Sequence, residues 1–457
     1  MKLKKYFFPR PNFYRDVAAI AIPISLQSMI TIGVNLMDNI MVGSLGEVKL
    51  SAVSQANQVI TLFHICCMGI GMGASVLTSR FWGMKDLVSL RKSITIMLRI
   101  CAGLAVLFML PTIFAPKFLM SLYTEDADVI NEGARYFAYM IPCYLLQGIS
   151  LTCTIVLRSV GQVRVPLFTS IGAFFINVFF NYVFIFGHFG APRMAVAGAA
   201  LGTLIARVFE FAVSCGFFLF KDKKIQYRIS NLWMKCSSLV GDYIRISIPV
   251  FVSDTLLALG TTMVAMIMGR IGNSFVSANS ITMVTQQLST VLIQGICQAG
   301  CIITGHTLGQ GKEEEAQKQA YTFLLLGVVI GLIGGLIIFI IRTPIINCYN
   351  IEPETKELAY QLMDAIAIIV VFQAMNSIMT KGVLRGGGDT KFLMIADILF
   401  LWIVSIPFGA LAGLVWHMDA FWIYVLLKVD QIIKAFWCIF RLRSRKWIKK
   451  ISTKELV

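Results

Sequence analysis

The chain has 457 residues, of which 57% are apolar and only 14% charged, with a mean hydropathy of +0.77. That is more apolar surface than a water-soluble core can hide, so the solvent for most of it is lipid, and a soluble globular enzyme is excluded. The net charge of +16 does not point to nucleic acid, because the basic residues are spread among the connections between apolar runs rather than gathered on one soluble domain.

Runs of about 20 apolar residues recur along the chain, each long enough to cross a bilayer core of roughly 30 Å as a helix. Twelve spans are predicted. The first six cover 17–41, 50–78, 93–115, 131–157, 165–187 and 195–220. Lys2, Lys4, Lys5 and Arg10 precede span 1, which lacks a small-residue cleavage pattern and reads as an uncleaved anchor with Pro23 inside it. Arg80, Lys85, Arg91 and Lys92 lie between spans 2 and 3, whereas the next connection carries Glu125, Asp126 and Asp128. After span 6 comes a basic stretch, 221–238, whose cations alternate with Ile225, Ile229, Leu232 and Trp233; it suits a membrane surface or a solvated linker equally.

The second six spans cover 239–269, 276–304, 319–341, 357–384, 392–415 and 420–440, and Arg441, Arg443, Arg445, Lys446, Lys449 and Lys450 close the series. The remaining connections are poor in Lys and Arg. The bias predicts both termini and the even-numbered loops on the cytoplasmic side of the cell membrane. The eleven cysteines fall mostly inside spans, with no CxxC pair, and read as small buried hydrophobes.

Sliding the chain on itself exposes a duplication. A shift of 226 residues brings Pro23 onto Pro249, Gly43 onto Gly269, Gly46 onto Gly272, Gly69 onto Gly295 and Gln147 onto Gln373. One inserted residue then makes the shift 227, which places Arg158 on Arg385 and Gly161 on Gly388. Each copy has six spans, an even number, so both enter the membrane in the same sense, related by a pseudo-two-fold axis along its normal. The expected organisation is an all-α polytopic membrane protein of two six-helix bundles, residues 1–220 and 239–457, joined by the linker 221–238. Such duplication suits a transporter that rocks one bundle against the other.

The strings MDNIMVGSLG after span 1, GASVLTSRFWGMKD after span 2, its echo ITGHTLGQGKEEEA after span 8, and LRGGGDTK after span 10 resemble the multidrug and toxic compound extrusion transporters. The resemblance covers both halves. It implies a secondary antiporter that exports organic, often cationic, compounds in exchange for protons or sodium ions, with no ATP and no other cofactor. It also implies that Asp38 carries the coupling cation, completed by Asn177 and Asn181 on span 5 and by Ala199 and Thr203 on span 6. A second cation site known from another branch would fall at Leu257 and Asn376, where no carboxylate stands; Asp254, one turn before Leu257, is the alternative.

The residues support the same chemistry. An ionised carboxylate at bilayer depth costs about 2.5–3.5 kcal/mol even on the mildest scale unless it is paired, hydrated or protonated. Asp38 has no base within a turn, whereas Asn177 and Asn181, four residues apart on one helix face, can offer oxygens to Na+ or amides to the carboxylate. Span 8 carries Gln287, Gln294 and Gln298 at helical spacing, a polar stripe suited to a wet substrate cavity or to interhelical hydrogen bonds. Phe174, Phe175, Phe179, Phe180 and Tyr182 on span 5 could attract organic cations, although packing explains most such rings.

Other intramembrane charges have simpler readings. Arg207 with Glu210, and Asp430 with Lys434, can each neutralise the other on one helix, and Arg99 and Asp397 sit near enough to the surface to snorkel. Asp364 and His64 have no evident partner. The string GIGMGAS is not a phosphate loop, and no HExxH or GxSxG motif supports catalysis. The expected partners are small organic compounds and membrane lipid, without nucleic acid, and the expected state is a monomer. The nearest rival is a lipid-linked sugar flippase of related fold, disfavoured because the central stretches of the lobe-facing helices are not rich in Arg.

Overall fold

The computed structural model describes residues 12–349 and 351–449; Lys2, Lys4, Lys5, Arg10 and Lys450 therefore lie outside the described residues. Among the described residues there is no strand, and eleven helices are long and apolar enough to cross a membrane. In lipid nothing replaces a lost backbone hydrogen bond, so each apolar run closes its own ladder as a helix. The first six are α1 (Phe13–Gly43), α2 (Glu47–Met84), α3 (Leu87–Phe114), α4 (Ala127–Ser159), α5 (Arg164–Phe186) and α6 (Val196–Lys221). The next five are α7 (Ser237–Ile271), α8 (Asn273–Gly309), α9 (Glu313–Asn347), α10 (Pro353–Leu384) and α11 (Thr390–Leu414). Asp86 and Asp126 cap α3 and α4 by accepting the free backbone N–H groups of Val88 and Ser89, and of Asp128 and Val129.

The twelfth span, expected as one run over 420–440, is two helices, α12 (Ala420–Leu427) and α13 (Val429–Arg443), that meet at Lys428. A side chain from α11 causes the interruption. Ser405 Oγ accepts the Asp430 N–H at 2.9 Å and lies 3.4 Å from the Leu426 carbonyl oxygen, so a hydroxyl stands where a helical bond between those two groups would run. The stretch of α11 that ends at this serine, Ile398–Ser405, is itself wound as a π-helix.

The duplication is visible in backbone conformation. Gly161 and Gly388 both adopt positive φ, 78° and 81°. Each donates to the carbonyl three residues back, Arg158 at 2.9 Å and Arg385 at 2.8 Å. After α2 and α8 the left-handed residue is Lys85 in one copy and Gly311 in the other, at the same 226-residue shift. The turn needs the conformation, and glycine is one of two ways to supply it.

The helices cluster into two compact units. One is Leu26–Ile244; the other takes Arg245–Val457 together with the start of the chain as far as Ser25. Apolar packing explains why the first turns of α1 leave their own half of the sequence: Phe13, Val17 and Ala21 are buried in a core with Ile293, Cys297, Phe323 and Val383. Ser25 Oγ donates to the Val291 carbonyl at 3.3 Å, and Gly295 has no Cβ because one would stand 2.4 Å from the Ala21 carbonyl oxygen. Pro23 lies two residues before this division, at the point where the Ala19 carbonyl loses its helical donor.

In the unit Leu26–Ile244, the core joins Met41 and Val42 of α1, Ala52 and Val59 of α2, Phe137 and Met140 of α4, and Val196 and Ala199 of α6. The linker is strapped to α3. Arg91 Nε donates to the Ile225 carbonyl at 3.0 Å, Thr95 shares a 2.8 Å hydrogen bond with the buried Tyr227 hydroxyl, and Arg99 donates to the carbonyls of Leu232 and Met234. Burial pushes the Tyr227 phenol above the usual tyrosine range. Arg99, expected to snorkel, thus spends its guanidinium on linker carbonyls, while Ile229 and Trp233 remain exposed.

Candidate cation-binding site

Three helices of the unit Leu26–Ile244 bring the five residues of the expected cation site into one neighbourhood. Asn181 is the hub: its amide nitrogen donates to Asp38 Oδ1 at 2.6 Å and to Asn177 Oδ1 at 3.2 Å. Asn177 in turn donates to Thr203 Oγ1 at 3.3 Å. Both asparagines are buried, whereas Asp38 and Thr203 are half-buried, so the polar string is buried at its middle and partly accessible at both ends. Ala199 contributes no polar atom and packs in the core beside the string.

The tight approach of α6 to α5 makes this geometry possible. Gly202 faces Asn181 so closely that a Cβ there would stand 2.2 Å from Oδ1 and 2.9 Å from the backbone nitrogen. Asn181 Oδ1 is buried and receives no hydrogen bond. A buried amide oxygen without a donor is costly, and it is the group that a bound cation would satisfy. The available donor atoms are all hard oxygens, from Asp38, Asn177, Asn181 and Thr203, a set suited to Na+ or a proton rather than to a soft transition metal. Among the described residues no three His, Cys, Asp or Glu side chains gather as a metal cluster.

Further along α6, Arg207 donates to Glu210 at 2.7 Å, as the spacing predicts. His64, left without a partner by sequence, shares a 3.0 Å hydrogen bond with Gln147 of α4. Arg158 reaches Gln27 of α1, whose amide also donates to Ser170 of α5 at 2.8 Å. Asn57 accepts from the Tyr136 hydroxyl at 3.1 Å. Sequence reasoning did not foresee these cross-helix pairs, because their partners lie 79 to 143 residues apart.

The residues expected to line a substrate cavity are in the other unit and behave differently from one another. On α8, Gln287 and Gln294 are exposed and Gln298 is half-buried. Their neighbour Gln286 turns inward, accepting from the Tyr424 hydroxyl at 3.3 Å and donating to Gln373 at 3.4 Å. Asn376 is buried and donates to Gln431 at 2.8 Å. Asp254 is held by Arg385 at 3.0 Å. Asp364 is paired with Arg342. Asp397 does not snorkel: it is 9% exposed and bonded to Lys434 at 2.7 Å.

Comparison with known proteins gives a consistent result. The probable multidrug resistance protein NorM of Thermotoga maritima is 23% identical over 462 residues, covering 100% of this chain and 98% of that protein. The multidrug resistance protein MdtK of Photorhabdus laumondii is 25% identical, covering 88% of each. Among solved structures, a MATE transporter in the bent conformation superposes with a TM-score of 0.85 at 16% identity, over 95% of this chain and 96% of that one. A transporter of the MOP superfamily from Pyrococcus furiosus gives 0.83 at 17% identity, over 94% and 96%. The MatE family pattern matches twice, at residues 23–183 and 249–411, once in each copy of the internal repeat. With both copies matched and the fold shared end to end, the chain belongs to the MatE family and is a multidrug and toxic compound extrusion transporter, not an enzyme.

Proposed function

We propose that this transporter is a cation-coupled antiporter that exports organic, chiefly cationic, compounds across the cell membrane, with Asp38 taking up the coupling H+ or Na+. The observation that carries the reading is the Asp38–Asn181 hydrogen bond of 2.6 Å beside the donorless oxygen Asn181 Oδ1. A Na+ at that place would receive the carboxylate and the amide oxygens of Asn181 and Asn177, with Thr203 Oγ1 behind them. A proton would instead neutralise Asp38 and lower the cost of holding it at bilayer depth.

Either event alters what α1 prefers to pack against. Pro23 lacks one helical bond and offers the helix a place to bend. The coupling ion and the exported compound need not touch; each need only favour opposite states of the same conformational equilibrium. The names of the relatives as multidrug resistance proteins support a broad organic substrate class. Gln287 and Gln294, exposed on α8, supply hydrogen-bonding groups for it. The proposed orientation, with both termini cytoplasmic, rests on the excess of Lys and Arg in the terminal and even-numbered connections.

Transport into everted membrane vesicles, with pH and Na+ gradients imposed separately, tests the reading. Asp38→Asn, expressed to the parent level, should lose gradient-driven accumulation of an organic cation. Parent-like accumulation with the parent's ion dependence would refute the coupling role.

A further inference from the structure

Inside the unit that holds Arg245–Val457, Asp254, Asp397 and Asp430 lie within helices, and each is met by a cation of the same chain. Asp254 takes Arg385 at 3.0 Å. Asp397 of α11 and Asp430 of α13 share one ammonium: Lys434 Nζ is 2.7 Å from the first and 3.2 Å from the second. Lys434 and Asp430 are each 1% exposed.

The two carboxylates offer more lone pairs than three ammonium protons can use, and neutral donors take up others. Ser253 of α7 donates to Asp397, Ser405 donates to Asp430 at 3.2 Å, and Gln431 donates to the other Asp430 oxygen at 2.7 Å. Asn376 joins the network through Gln431 at 2.8 Å, and its own Oδ1 is buried with no donor although the residue is only 6% exposed. The interruption between α12 and α13 lies beside the network, and broken transmembrane helices are where transporters build ion sites. Remove the ammonium, and a set of hard oxygens from three helices remains, the donor chemistry of a small monovalent cation.

We infer that α7, α11 and α13 form a monovalent-cation site whose permanent occupant is the Lys434 ammonium, so that this unit carries its own counter-ion and takes none from solution. The surrounding charges agree. Arg385 acts on Asp397 as well as Asp254, Lys381 acts on Asp254, and Lys428 faces Asp430 and Lys434. Lys434 is the cation bonded to both Asp397 and Asp430, so with it in place neither carboxylate is left to draw an ion from water. One ammonium held between two carboxylates from different helices is the arrangement of a bound monovalent cation rather than of a one-to-one ion pair.

The test removes the tether in full-length protein already carrying Asp38→Asn. With the other proposed ion site eliminated, failure of this inference is distinguishable from failure of the coupling role. Lys434→Ala in that background should lower the thermal midpoint by roughly 3–5 °C. Added Na+, but not equal choline, at mildly alkaline pH should restore it, or acidification in choline should do so by protonating one carboxylate. The Asp38→Asn protein with Lys434 intact should respond to neither. Asp397→Asn added to Lys434→Ala should abolish the cation response while itself recovering part of the midpoint. If Lys434→Ala yields no folded protein, the Lys434→Ala/Asp397→Asn pair should, because the second change removes one of the two charges that the ammonium answers. Absence of any recovery with Na+ or acid, a recovery that survives Asp397→Asn, or a pair as unfoldable as the single variant would overturn the inference.

Discussion

Gly202→Ala tests the proposed coupling site without touching any of its polar atoms. The added Cβ would stand 2.2 Å from Asn181 Oδ1 and 2.9 Å from the Asn181 backbone nitrogen, so rotation of the side chain alone cannot relieve the clash. Either α5 and α6 move apart or the amide retreats by about 1 Å, the scale on which dispersion contact and hydrogen bonding are both lost. The 2.6 Å bond to Asp38 cannot survive such a shift. Overpacking of this kind costs about 1–3 kcal/mol of stability. Loss of a hydrogen bond to a charged group costs about 1.5–3 kcal/mol more, which at the site is a change in ion affinity of roughly 10- to 150-fold. Gly216→Ala is the control: it lies on the same helix in ordinary helical conformation, and a Cβ there meets nothing within 4 Å. Purified variants in proteoliposomes, assayed for organic-cation export against the concentration of the driving ion, should separate the two. Gly216→Ala should follow the parent, and Gly202→Ala should shift the ion concentration for half-maximal export by at least about tenfold. Matching ion dependence for Gly202→Ala and the parent would refute the claim that Asn181 and Asp38 act together.

Two further substitutions probe the other unit. Arg385→Ala strands the Asp254 carboxylate, 21% exposed on its side chain, at a cost of about 3–5 kcal/mol, and Arg385→Ala/Asp254→Asn should recover most of the lost thermal midpoint; a double variant no better than the single would show that the pair is not what holds these groups. Ser405→Ala removes the hydroxyl between Asp430 N–H and the Leu426 carbonyl, leaving buried polar groups unmatched at about 1–3 kcal/mol. Hydrogen exchange at Asp430 should quicken in that variant, and unchanged protection would mean that the junction at Lys428 does not depend on the serine.

The spans were legible because lipid leaves the backbone few choices, and the repeat was legible because Gly and Pro mark positions where the chain must turn or bend. Asp38, Asn177, Asn181 and Thr203 could be placed in one site through the family resemblance together with the four-residue spacing on α5. The partners of Asp254, Asp364, Asp397 and His64 could not. Their contacts join residues 22 to 144 positions apart, and no periodicity within one helix reports which face of another it meets. The interruption of the twelfth span escaped notice for the same reason: its cause is Ser405, on a different helix. Gly202 carried no signal either, since its neighbour across the helix interface is known only once α5 and α6 are packed.

The repeat also shows how one scaffold can come to hold two kinds of charge. At shifts of 226 and 227 residues, Gln27 corresponds to Ser253, Ser170 to Asp397 and Arg158 to Arg385. In the unit Leu26–Ile244, Gln27 bonds both Ser170 and Arg158, so its share of this arrangement contains one charge. In the other unit Ser253 still bonds Asp397, but a carboxylate has replaced the hydroxyl, and Arg385 now meets Asp254, the residue next to Ser253. A carboxylate placed there must be neutralised, and Lys434 and Arg385 do so from within. Asp38 has no such bonded partner among the described residues: it is hydrogen-bonded to the neutral Asn181, while Arg207, which acts on it from further away, is bonded to Glu210. Because a carboxylate that already holds an internal cation cannot also respond to an external gradient, a group built to respond to one must be left incompletely satisfied, and among these carboxylates Asp38 is the one so left.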